Sequence, residues 1–147
     1  MKKALMVLFS CFSLAFMVAA PVSAQEPGTV IRVTIPFEFN VRGKTLPAGR
    51  YEISCISDAS ETLGVYNRAA HKELVFETDS IETRSPHRDG QLMFHRYGDT
   101  YFLYEIWAPG SDMGHELPRS RAERKLEHQA ANQNRRPEMV ALAVDEM

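Results

Sequence analysis

GQLMFHRYGDTYFLYEIWA, running from Gly90 to Ala108, decides the fold. Two runs of aromatic and aliphatic residues flank Gly98-Asp99, a two-residue loop of the kind whose twist matches that of paired strands. The loop sets a register in which Tyr97 faces Thr100, Arg96 faces Tyr101, and the pairs continue outward in step. Side chains alternate across a strand, so Gln91, Met93, His95, Tyr97, Thr100, Phe102, Tyr104 and Ile106 share one face. Leu92, Phe94, Arg96, Tyr101, Leu103, Glu105 and Trp107 take the other. Neither face is polar enough to meet water freely, so each needs a cover.

Upstream, every odd position from Ile31 to Val41 is apolar, and Arg32, Thr34, Glu38 and Asn40 hold even positions beside Pro36. That is the period of a half-buried strand, and Pro36, without an N–H, marks either an edge strand or a break into two shorter ones. Arg42-Gly43-Lys44 and Pro47-Ala48-Gly49 read as turns, and alternation resumes over residues 50–57. Shorter strands are predicted at Leu63–Tyr66, Glu73–Thr78 and Ile81–Thr83, with connections at Asp58-Ala59-Ser60 and over residues 84–90. Strands at this spacing with no helices between them predict a mainly β fold, an antiparallel β-sandwich or barrel.

One C-terminal α-helix is predicted over about residues 118–133. Ser120 with Glu123 three residues on forms a capping box, and the stretch to Gln133 is rich in helix formers. The apolar stripe is thin: Ala122, Leu126 and Ala130. The helix is expected to cover the Trp107 face, with Arg121, Arg124 or Lys125 near Glu105. After Pro137, the apolar run Met139–Val144 is expected to dock as a last strand.

MKKALMVLFSCFSLAFMVAAPVSA, residues 1–24, has the anatomy of a cleaved, Sec-type secretory signal. Lys2 and Lys3 supply the positive region, Ala4 to Ala20 the apolar one, and Val22-Ser23-Ala24 the small-residue site, predicting cleavage between Ala24 and Gln25. The apolar run falls short of the roughly 20 residues of a span, so the mature form is expected to have none. Residues 25–147 then make a single β-rich domain, exported to the periplasm or beyond. Loss of Lys2 and Lys3 takes the 17 basic residues to 15 against 19 acidic ones, which disfavours nucleic acid as a partner. Cys11 leaves with the signal, so no intrachain disulfide is expected, and Cys55 falls on the apolar face of its strand.

The strings IPFEFNVRGKTLPAGRY and LMFHRYGDTYFLYEIWAPGSDMGHELPRSRAER together resemble a family of small exported β-rich bacterial proteins. The shared signatures are the LPAG.Y turn, the FHRYGD.YFL hairpin and the ELP.SR.ER helix start. His115 departs from the pattern, in which a basic residue precedes ELP. The resemblance implies membership and a signal peptide, with no catalytic expectation.

Candidate chemistry is sparse. No histidine lies in a short ligand motif, and no nucleophile elbow or phosphate loop is present. A metal-dependent hydrolase would need His95 and His115 to meet, with Asp99 or Asp112 as a third ligand. Against that stands a non-catalytic envelope or extracellular module, without cofactor, that contacts a protein or glycan partner. Its candidate contact residues are His95, Arg96, Tyr97, Tyr101 and Trp107, and as an exposed aromatic strip they would suit a carbohydrate-binding module.

Overall fold

The computed structural model describes residues 30–57 and 60–145. The signal segment, the Ala24–Gln25 junction and Asp58-Ala59 lie outside the described residues. The chain is mainly β, with two sheets and one C-terminal helix.

Alternation places the first strands. β1 (Val30–Ile35) ends at Pro36, and the chain crosses to the opposite sheet to form β2 (Phe39–Val41). Ile31, Val33, Ile35, Phe39 and Val41 all stay buried through the crossing. Pro36 therefore breaks the strand, because it has no N–H to donate to a ladder. Arg42 and Gly43 both adopt positive φ, the geometry of a two-residue hairpin loop, and return the chain as β3 (Lys44–Leu46). β4 (Gly49–Ser57), β5 (Ser60–Asn67) and β6 (Lys72–Glu77) complete the first sheet, in the order β1-β4-β5-β6. Cys55 sits half-buried on the inner face of β4, as expected.

β7 (Asp79–Glu82), β8 (Gln91–Tyr97), β9 (Thr100–Trp107), β10 (Met113–Glu116) and β11 (Glu138–Ala143) form the second sheet, ordered β11-β8-β9-β10-β7. Among the described residues every pairing is antiparallel except that of β2 with β9, where β2 runs parallel along the first half of β9. The sheets share one core: Tyr51, Ile53, Leu63 and Val65 from one side meet Leu92, Phe94, Leu103 and Ile106 from the other. The last strand docks as expected, with Val140 and Leu142 against the core and Val144 buried behind them.

The hairpin corrects the predicted register. Tyr97↔Thr100 through Phe94↔Leu103 pair as expected, but a bulge then shifts the partners to Met93↔Glu105, Leu92↔Ile106 and Gln91↔Trp107. Tyr104 is the extra residue. The physical reason lies one position further on, since unbroken alternation would aim the Glu105 carboxylate into the apolar core beside Phe94, where an unpaired charge is costly. The bulge turns Glu105 and Trp107 outward and brings Ile106 in. Ile106 and Trp107 thus occupy faces opposite to those predicted.

α1 (Arg121–Asn132) begins where expected, with Ser120 Oγ accepting from the Glu123 N–H at 3.1 Å. Its docking differs from expectation. The helix sits over β8 on the His95 side, Ala122 is exposed, and the residue it buries is Glu123. A helix whose only apolar stripe is two alanines and a leucine gains little from apolar burial, so a polar anchor sets its rotation. Glu105 meets no helix cation; its Oε2 accepts from Trp107 Nε1 at 2.9 Å. Among the described residues no helix is long and apolar enough to cross a membrane.

Candidate functional site: the hairpin tip and the helix above it

The outer face of the second sheet carries a polar and aromatic layer under α1. His95 Nδ1 lies 2.7 Å from Glu123 Oε1, with the two residues 3% and 4% exposed. That distance is a hydrogen bond between the ring nitrogen and the carboxylate, whose donor and acceptor follow the imidazole tautomer. The imidazole stacks on Tyr104 at 4.0 Å between centroids. Arg119 extends the network, with Nη1 3.0 Å from Glu127 and Nε 3.8 Å from Glu123. Tyr97 packs edge-on to Phe102, and its buried hydroxyl has no hydrogen-bond partner among the described residues. Burial first, then the charges of Glu123 and Glu127, push its pKa up to about 12. Tyr104 is raised too, mainly by burial, with Glu116 and Glu105 adding to it.

The five predicted contact residues separate. His95 is closed off by Glu123 and Tyr104. Tyr101 stacks on Phe37 at 3.8 Å and carries Arg96 over its ring at 5.4 Å, so the expected Arg96–Tyr101 pairing is real and its aromatic face is used internally. Trp107 is 5% exposed, packed over Gly114 and against His87, and forms no open strip with Tyr97 and Tyr101. Only Arg96 and Tyr97 line an open space, a groove of about 320 Å³ between the hairpin tip and the C-terminal half of α1. There they meet Gln129, Gln133, Arg135 and Arg136, over a floor of Leu126 and Ala130.

These last four polar residues were not singled out by pattern. The available signal was the polar run on either side of Ala130 and Ala131, whose Gln129, Gln133, Arg135 and Arg136 are exposed beside the half-buried Leu126 and Ala130.

His95 and His115 do not meet. His115 pairs with Ile106 and shares its inward face, whereas His95 lies under the helix on the outer face. Among the described residues no three His, Cys, Asp or Glu side chains are grouped to hold a metal ion. His115 Nδ1 instead lies 3.0 Å from Thr78 Oγ1.

Burial lowers the His115 pKa below its usual value near 6.5, and Glu61 opposes that shift. As pH falls below about 6.5, the unfolded chain takes up the proton before the folded one, so the fold loses stability in that window. In thermal melts at pH 7.5 and pH 5, His115→Gln should show a smaller loss than the parent chain. An equal loss would remove His115 from the acid sensitivity.

No protein-family model, curated protein or solved structure gives a significant match to this chain.

Proposed function

We propose that the protein is a non-catalytic binding module of the bacterial envelope or exterior, exported through residues 1–24, whose hairpin–helix groove takes a glycan. The observation that carries this reading is the convergence of Arg96 and Tyr97 with Gln129, Gln133, Arg135 and Arg136 around one groove. Planar amides and guanidinia offer several hydrogen bonds each in fixed directions, as a sugar's hydroxyls require, and the tyrosine ring supplies a flat surface for its C–H face. The n-region, apolar run and small-residue site at the N-terminus support export, as does the resemblance to small exported proteins.

This reading moves the contact surface from the hairpin aromatics as a set to its tip. It also changes the useful probe, because covered Trp107 should not report binding. Calorimetric titration of the purified protein with a panel of neutral and acidic cell-wall oligosaccharides is the direct test. Gln133→Ala with Arg136→Ala, both at exposed positions, should weaken a positive titration by about tenfold, the worth of one or two good hydrogen bonds. Silence across the panel, or binding indifferent to these changes, would leave a protein partner as the better reading.

A further inference from the structure

At the other end of α1, a second cleft of about 640 Å³ opens between the Arg42-Gly43 turn and the first turns of the helix. Arg42, Arg119, Arg121, Arg124 and Lys125 line it, and no acidic residue does. Their charges are mostly uncommitted. Arg119 is matched by Glu123 and Glu127, and Arg42 donates to the Pro118 carbonyl, but among the described residues no ion pair joins Arg121, Arg124 or Lys125 to a carboxylate.

Folding alone gives no reason for this arrangement. Arg121 stands one helical turn from both Arg124 and Lys125, a spacing at which like charges repel. Cations in a first turn also oppose the helix dipole, which favours negative charge there. The chain as a whole is negative, with 17 basic against 19 acidic residues, yet five of its cations converge on this one concavity. An anion seated among them would relieve the repulsion from every side at once.

We propose that this cleft is a binding site for a compact polyanion bearing two or more phosphate groups. Four cations without a full partner exceed the charge of one phosphate, and three of them are guanidinia, whose forked donors match phosphate oxygens in pairs. The source is a solute and not a lipid surface. The cleft's only non-ionic, non-hydroxyl lining residues are Gly43 and Ala122, so there is no apolar side chain to enter a bilayer. The site is separate from the hairpin–helix groove, so its failure leaves the glycan reading standing, and the reverse.

Calorimetric titration of the purified protein with sodium tripolyphosphate in 50 mM NaCl should show one site, weakened as salt rises. Arg121→Gln with Arg124→Gln should raise the dissociation constant about tenfold or more, while the charge-matched Arg84→Gln with Arg88→Gln, on an exposed loop, should change it less than about twofold. Circular dichroism should show the same helix content in both variants. Equal weakening by the two pairs, several weak sites per chain, or no binding heat would overturn the proposal. Vesicles containing phosphatidylglycerol should not sediment the protein; sedimentation without tripolyphosphate binding would overturn the solute assignment.

Discussion

Glu123→Ala should lower the melting temperature by roughly 10–20 °C, the largest effect expected of any single change on the helix. Its carboxylate and the His95 imidazole are 4% and 3% exposed and 2.7 Å apart, so truncating Glu123 strands a buried ring nitrogen that has given up water. Losing one member of such a pair costs about 3–5 kcal/mol, more than Leu126 and Ala130 return by packing. Two comparisons isolate the cause. Ser120→Ala removes only the cap to the Glu123 N–H, worth about 1 kcal/mol, and should shift the melt by a few degrees. His95→Leu combined with Glu123→Leu replaces both partners by apolar groups of similar size and should recover most of the loss. A Glu123→Ala melt within about 3 °C of the parent, on the same size scaling, would show that the helix is held some other way.

Gly114→Val should be nearly as damaging, for a steric reason. Gly114 lies directly opposite Trp107 in the β9–β10 ladder, and a Cβ there would stand 2.5, 2.6 and 2.7 Å from three atoms of the indole. The ring cannot step aside easily. Its Nε1 is held by Glu105 and its other flank meets His87. Overfilling a packed site costs about 1–3 kcal/mol for a small addition, so Gly114→Ala should lower the melt by several degrees and valine by more. Trp107 is the chain's one tryptophan, which makes the readout specific: its emission should move to longer wavelength as the ring is pushed toward water. Unchanged emission in a stable Gly114→Val protein would refute the packing described.

Much of this fold was legible because a strand with one buried face writes its period into the residues. Ile31 to Val41, the β4 strand and the Gly98-Asp99 loop all behave as their patterns require. The bulge at Tyr104 was not legible. Nothing in a string of alternating residues marks one extra member, and the conflict that calls for it, a carboxylate at a core position, shows only once both faces have been assigned. The helix shows a related limit. Glu123 was readable as the second half of a capping box, a local relation, and its backbone N–H does bond Ser120. Its side chain, however, answers a histidine 28 residues away, and no local pattern encodes that choice. Within the candidate site, Arg96 and Tyr97 were recoverable because they flank a turn; the helix amides that complete the groove depend on which side of α1 faces the sheet.

The segment after β11 reaches back to β1: the Asp145 N–H donates to the Arg32 carbonyl at 2.7 Å, and Thr34 Oγ1 donates to the Asp145 carboxylate. β11 meanwhile closes the outer edge of β8. For a chain that emerges N-terminus first, β1 can pair with β4 early, but its contacts with Asp145 and the cover of β8 by β11 form only after Glu138 and the residues that follow it have been made. Such long-range closure slows folding and leaves bare strand edges in any partial chain. A nascent or truncated form ending before Glu138 accordingly leaves the β8 edge bare and is the species most exposed to edge-to-edge association and to proteases.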